Sequence, residues 1–236
     1  MRSREVPAVQ RASFLLLIAL GGLTPPARLA AAEPKFAAGY EKLDPPGALA
    51  GPVRKLLADS ALVVRGDNDE PVMRVWFRAE IPAKATDEQV KNGLTYREIP
   101  EGTLVGAIEF PRTFTDFRKQ EIPPGVYTLR FAVQPDIGDH TGTAPHPEFC
   151  LISPAEKDKS AEPMAVKALI ELSSEVNEGK HPAVLLLFPN YAKDDGPKVV
   201  GKGDGVWVVN VRRPVATGDT KTSLGFGITV AGVWKQ

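Results

Sequence analysis

The chain has few of the residues that most often carry chemistry, since its 236 positions include one cysteine and three histidines. One cysteine cannot form a disulfide within the chain, so no such crosslink staples the fold. The sequence also lacks the G-x-S-x-G elbow of many hydrolases and the H-E-x-x-H helix of zinc proteases. The glycines of GKGDG (201–205) precede a strand-like run, whereas a phosphate loop needs a following helix. These absences argue against the commonest hydrolase, metalloprotease and nucleotide-binding classes.

An excess of one charge is also missing, because 29 basic residues balance 29 acidic ones. A nucleic-acid-binding domain needs a basic surface, so we expect no nucleic-acid partner. After residue 32, no apolar run reaches the roughly 20 residues that a membrane-spanning helix needs. We therefore expect no transmembrane segment in the mature chain.

The N-terminus has the three regions of a secretory signal peptide. Arginines at positions 2, 4 and 11 precede the apolar run ASFLLLIALGGL (12–23), and TPPARLAAA (24–32) places small residues before a cleavage site after Ala32. The apolar run is too short to span a bilayer as a helix. We predict that residues 1–32 are removed as a signal peptide. Residues 33–236, with 25 basic and 28 acidic side chains, would then act in the periplasm or outside the cell.

Short runs of alternating side chains, separated by prolines and glycines, predict a mainly β protein. In GVYTLRFAVQ (125–134) every second residue is apolar and the residues between are mostly polar. The predicted core face comprises Tyr127, Leu129, Phe131 and Val133. The predicted solvent face includes Thr128, Arg130 and Gln134. PVMRVWFRAE (71–80) alternates in the same way, and about nine such strands favour an antiparallel β-sandwich.

Two segments depart from this alternation. EPMAVKALIELSSEVNEGK (162–180) has the apolar spacing of a helix, with Pro163 near its start. AVLLLFP (183–189) is typical of a strand buried on both faces. The polar stretch 153–163 is a candidate boundary between two small domains, but the 73 residues beyond it would form a marginal core alone. We expect one domain over 33–236, an antiparallel β-sandwich of about nine strands with one packed α-helix.

The string GVYTLR…DIGDHTGTAPHPEF resembles a family of exported bacterial proteins that has no assigned activity. The resemblance covers roughly residues 60–155 and implies no catalytic residues. The G-x-Y-x-L-x strand within it is also similar to strands of immunoglobulin-like and transthyretin-like modules. That similarity implies a β-sandwich and carries no statement about function.

The stretch DIGDHTGTAPHPEFC (136–150) concentrates side chains that bind metals. Asp139, His140, His146 and Cys150 would form a metal site if a loop brought them together. The histidines are six residues apart with one proline and one glycine between them, so no helix aligns them. No histidine follows Cys150 at the spacing of a type I copper site. The alternative is a hydrogen-bonded polar loop that leads into a strand, with Cys150 as a small buried apolar residue.

One tryptophan suggests a binding surface. Trp76 lies between Arg74 and Arg78 on the polar face of its predicted strand. If that face is exposed, the indole and two guanidiniums form a platform for stacking on a sugar ring or an anionic polymer. The alternative is that a helix or a second sheet covers the face, with the arginines extending past the indole to water.

These observations favour a non-catalytic binding or assembly module of the cell envelope or the extracellular space. A glycan or another envelope protein is the expected partner, with Arg74, Trp76 and Arg78 as the ligand-binding residues. We expect no cofactor and regard an enzymatic role as the less favoured interpretation. The alternative function is a metal-dependent enzyme or metal carrier that uses Asp139, His140, His146 and Cys150.

Overall fold

The computed structural model describes residues 36–135, 144–177 and 181–233. Strands dominate these residues, so the prediction of a mainly β protein is confirmed. The strands are β1 (Ala37–Glu41), β2 (Ala61–Arg65), β3 (Pro71–Phe77), β4 (Ile81–Pro82), β5 (Leu104–Phe110), β6 (Phe114–Thr115), β7 (Glu121–Ile122), β8 (Gly125–Val133), β9 (Glu148–Pro154), β10 (Ala183–Pro189), β11 (Lys198–Gly203), β12 (Val206–Thr217) and β13 (Thr220–Ala231). The helices are α1 (Gly51–Arg54), α2 (Asp87–Asn92) and α3 (Val166–Ser174), with 3-10 turns at Tyr96–Glu98 and Glu175–Asn177.

Eleven strands form one sheet in the order β1-β2-β3-β5-β8-β9-β10-β13-β12-β11, with β4 beside β12. The pairs are antiparallel except β4 with β12, where Ile81 lies opposite Val215. β6 and β7 form a separate small hairpin. Strands on both sides of the segment 153–163 therefore belong to the same sheet.

The sheet curls into a half-barrel around one core. The Phe36 ring meets Trp207 edge-to-face with centroids 5.9 Å apart, and Phe77 of β3 contacts Phe226 of β13 at 6.0 Å. The predicted antiparallel sandwich of nine strands is thus not clearly formed. The physical reason is β10, which pairs with β9 on one edge and β13 on the other and so joins the two halves into one sheet.

Strand β8 is buried on both faces. Tyr127, Leu129 and Phe131 lie in the main core, as the alternation predicts. The predicted solvent face is wrong for Thr128 and Arg130, which are both fully buried. The prediction fails because the chain after β9 folds back over the outer face of β8, a contact that local alternation does not encode.

A buried ion pair fastens that returning segment. Arg130 Nε lies 2.7 Å from one oxygen of Asp158, and Nη2 lies 2.9 Å from the other. The remaining guanidinium N–H groups donate to the carbonyl oxygens of Gly102, Glu162 and Ser160. Every polar hydrogen of this buried guanidinium therefore has an acceptor, which is the condition for burying a charge at a tolerable cost.

Two other segments cover the outer face of the sheet. The chain around α1 covers β2, β3 and β5, where Leu49, Val53 and Leu57 pack on Val63 and neighbouring residues. α3 covers part of β8 and β9 through Leu169. The helix predicted over 162–180 is shorter in the structure, because α3 begins at Val166 and ends at Ser174. Residues 178–180 of that prediction lie outside the described residues.

The predicted two-sided strand AVLLLFP is confirmed as β10. Leu185 and Leu187 face the main core, while Leu186 and Phe188 belong to a cluster on the outer side. None of the helices in the described part of the chain is long and apolar enough to cross a membrane.

Candidate functional site

The predicted tryptophan platform is wrong, because Trp76 is only 3% exposed. Its Nε1–H donates to the carbonyl oxygen of Leu43 at 2.8 Å, and the segment around α1 covers the ring. Arg74 pairs with Glu109 at 2.8 Å, and Arg78 is half-buried beside the same cover. The apolar residues of segment 43–57 were the signal for this cover. Their spacing shows that they need a partner, but it does not identify Trp76 as that partner.

The predicted metal set is also not assembled by the described residues. Cys150 is 1% exposed in the main core, and burial raises the pKa of its thiol to about 12, so the thiolate that binds metals is disfavoured. His146 lies elsewhere, edge-to-face against the outward-facing Phe188 with centroids 4.8 Å apart. Asp139 and His140 lie outside the described residues. Within the described ranges, no three His, Cys, Asp or Glu side chains cluster as metal ligands would. Cys150 is instead the small buried apolar residue of the alternative interpretation.

An apolar groove of about 300 Å³ lies on the outer face of β8, β9 and β10, beside α3. We call it the outer groove. Its floor consists of side chains that point away from the main core, namely Ala132, Phe149, Leu151, Val184 and Leu186. The floor is possible because all three strands carry apolar residues on both faces, and the described residues cover only part of the outer face.

One wall of the outer groove is α3. Val166 and Ile170 are four residues apart, so they lie on the same side of the helix and both line the groove. The helix is held by Leu169, which is fully buried, and by Ser173. The Ser173 hydroxyl lies 2.7 Å from the carbonyl oxygen of Ile152 and 3.0 Å from that of Ala183, which anchors the helix to β9 and β10.

The opposite wall is the turn between β6 and β7, which contributes Phe117 and Arg118. Asp116, fully buried, holds this turn by accepting the backbone N–H groups of Arg118 and Gln120, each at 2.9 Å. Its second oxygen accepts the Gln120 amide at 2.8 Å and the N–H of Val184 in β10 at 3.3 Å. Burial raises the pKa of Asp116, although these four hydrogen bonds act to lower it. The turn is therefore fastened to the floor of the groove.

The rim of the outer groove has two exposed apolar residues and two basic ones. Val133 and Ile170 are 37% and 39% exposed, which is high for large apolar side chains. Val133 was predicted to lie in the core, and that prediction is wrong because the residue ends β8 at the groove. Arg118 and His181 line the same rim and are exposed. Among the lining residues that the structure describes, none is a carboxylate.

Sequence reasoning missed the outer groove because its lining comes from five separate segments of the chain. The available signals were weak. β10 was recognisable as apolar on both faces, which indicates that something packs outside the sheet, and the apolar Ile170 directly follows Leu169 in the predicted helix. Neither signal shows that the cover is incomplete.

Comparisons with protein-family models, curated proteins and solved structures find no match for this chain. Fold and groove together define a mainly β protein with an apolar concavity, rimmed by basic residues, on the outer face of its sheet.

Proposed function

We propose that the protein is an exported, non-catalytic binding module that holds an apolar ligand in the outer groove. The observation that carries the proposal is the exposure of Val133 and Ile170 at the mouth of an apolar floor. Exposed apolar surface that is concave and has preformed walls is typical of ligand sites. The volume of about 300 Å³ lies at the lower end of the range of known small-molecule sites.

The chemistry of the lining supports binding over catalysis at this place. Among the described lining residues, the ionisable side chains are Arg118 and His181, and both lie at the rim. The floor offers a ligand van der Waals contact and removal from water, which stabilise a complex without making or breaking bonds.

Other parts of the proposal follow from the sequence. The charge and apolar pattern of residues 1–32 supports export to the periplasm or beyond. The two halves of the curled sheet face each other across one core, which supports a sandwich-like relationship with immunoglobulin-like and transthyretin-like modules. An envelope-protein partner, and a metal function that would use Asp139, His140 and His146, stay predictions.

Fluorescence titration with the uncharged apolar probe N-phenyl-1-naphthylamine tests the proposal. We expect a saturable rise in probe emission with the purified chain. Ile170→Asp should weaken binding at least about tenfold, because the ligand would have to desolvate a carboxylate at the mouth. Ala168→Asp is the matched control, since it adds the same charge to an exposed position of α3 that does not line the groove.

The variants should first be shown to unfold at the temperature of the parent chain. A titration without saturation in the parent chain would reject the proposal. Equal affinity of the Ile170→Asp and Ala168→Asp variants would place the probe somewhere else on the molecule and would also reject it.

A further inference from the structure

The mouth of the outer groove has a basic side chain, Arg118, on a turn whose backbone is held by hydrogen bonds. Arg118 lines the groove, and its backbone N–H is bound by the buried carboxylate of Asp116 at 2.9 Å. The guanidinium itself has no hydrogen-bond or ion-pair partner in the structure as described. An exposed arginine on a hydrogen-bonded turn, with none of its five donors bonded to a described residue, is available to an external acceptor.

Backbone hydrogen bonds close the turn that presents Arg118. Asp116 and Gln120 are joined by a backbone hydrogen bond of 2.9 Å, and the N–H of Lys119 donates to the Asp116 carbonyl at 3.0 Å. Lys119 has a φ of 69°, in the left-handed region that residues with a side chain adopt uncommonly. Little conformational freedom remains in the backbone of the turn to be lost when a ligand binds.

The acid nearest to Arg118 along the chain does not compete for its guanidinium. Both oxygens of Asp116 are occupied by four N–H donors and the residue is fully buried, so the carboxylate points away from the rim. The Gln120 amide also donates to the carbonyl of Pro182 at 3.0 Å, which ties the turn to the residue after His181. Two basic side chains thus share one rim, and the described lining residues include no acid.

We propose that the ligand of the outer groove is a free single-chain amphiphile with an anionic head, such as a fatty-acid carboxylate. This inference rests on the proposed function. The aliphatic chain would lie on the floor formed by Phe149, Leu151 and Val184, and the head would pair with the guanidinium of Arg118. An uncharged ligand would cover the rim without using the free donors, whereas a carboxylate accepts two of them in parallel.

Displacement of N-phenyl-1-naphthylamine by three ten-carbon competitors tests this inference. Decanoate, 1-decanol and decyltrimethylammonium have the same tail and differ in head charge. In the parent chain we expect decanoate to displace the probe at a concentration about fivefold lower than 1-decanol, the gain typical of a partly exposed charge pair. Decyltrimethylammonium should be the weakest competitor, because its head is repelled by the rim.

Arg118→Gln should remove the advantage of decanoate and leave 1-decanol unchanged. Arg118→Lys should keep part of the advantage, since it keeps the charge but not the planar fork. Lys119→Gln is the matched control, because it removes one positive charge from the same turn at a position that does not line the groove. The control should behave as the parent chain does.

The outcomes separate the two proposals. Equal displacement by decanoate and 1-decanol in the parent chain would overturn the anionic head and leave apolar binding standing. An advantage that survives in Arg118→Gln but not in Lys119→Gln would also overturn the role of Arg118. Absence of saturable probe binding would reject both proposals, namely apolar binding in the outer groove and an anionic head on the ligand. Arg118-dependent co-sedimentation with phosphatidylglycerol vesicles, without displacement by decanoate, would replace the free amphiphile with a membrane surface.

Discussion

The outer face of the sheet has two apolar regions that differ in how completely other segments of the chain cover them. The covered face, formed by Ala61, Val63, Trp76, Leu104 and Ala107, lies under the segment around α1. The outer groove lies only partly under α3. How completely the covering segment packs on the sheet decides the outcome. Where the covering segment packs completely, even a tryptophan between two arginines becomes core, and where it stops short an apolar site stays open.

The largest effect is expected at the ion pair between Arg130 and Asp158, which holds a third covering segment, the chain after β9, over β8. Asp158→Ala should lower the free energy of unfolding by about 4 kcal/mol, because it leaves the Arg130 guanidinium buried without its carboxylate. Urea denaturation measures the loss. Glu109→Ala breaks the half-exposed pair with Arg74 and should cost less than about 1 kcal/mol. Equal losses in the two variants would show that burial does not set the value of these pairs.

The covered face itself can be tested at Trp76. Trp76→Ala should lower the free energy of unfolding by about 3 kcal/mol, because it opens a cavity and leaves the Leu43 carbonyl without its donor. Tyr191→Ala is the control, since that ring is 80% exposed and should contribute little. In a variant that keeps Trp76 as its only tryptophan, with Trp207→Phe and Trp234→Phe, the fluorescence should resist quenching by acrylamide. Ready quenching would mean that the cover opens in solution.

On the inner face of the sheet, the buried Cys150 makes the stability of the folded chain depend on pH. Burial raises the pKa of its thiol in the folded chain to about 12, from 9.0 when exposed. Between these values the unfolded chain loses the proton and the folded chain keeps it. Stability from this group is therefore present below about pH 9 and falls as pH rises, by up to about 1.4 kcal/mol per pH unit.

Urea denaturation at pH 8, 9 and 10 measures this slope, and Cys150→Ala should show a shallower one. The other titrating groups, Tyr96 among them, are present in both chains and cancel in the comparison. Identical slopes would indicate that the thiol reaches solvent in the folded state.

The smallest effect is expected where α3 is anchored. Ser173→Ala should cost about 1 kcal/mol, because it removes the hydroxyl that bonds to carbonyl oxygens of β9 and β10. Ser174→Ala is the matched control, since that hydroxyl bonds within the helix to Ile170. If Ser173→Ala also weakens N-phenyl-1-naphthylamine binding while Ser174→Ala does not, the wall of the outer groove depends on this anchor. A larger loss in Ser174→Ala would contradict the assignment.

Much of the fold could be predicted from local pattern. The alternation of 125–134 identified the inward residues Tyr127, Leu129 and Phe131, and the continuous apolar run of β10 identified a strand buried on both sides. The pairing of strands that are distant in the sequence could not be predicted in this way, because it carries little local sequence signal. β10 pairs with both β9 and β13, and it thereby joins the two expected layers into one curled sheet.

The candidate site was less predictable than the fold. The sequence drew attention to rare side chains, and the structure places Trp76 under cover and Cys150 in the core. The residues that form the outer groove are common ones, such as Val184 and Ile170. Nothing in their local sequence distinguishes an apolar residue that is covered by a distant segment from one that is not.

The sequence by itself determined a mainly β chain without an internal disulfide, most of the inward-facing residues of β8 and the approximate place of one helix. These features depend on side-chain period and residue type over a few positions. Only the tertiary structure decided which outward-facing residues are buried. Trp76 is bonded to Leu43, 33 residues away, and Arg130 to Asp158, 28 residues away. Ile170 is covered by no such distant segment among the described residues and stays 39% exposed. Burial on the outer face is a property of contacts between distant segments, so local pattern cannot specify it.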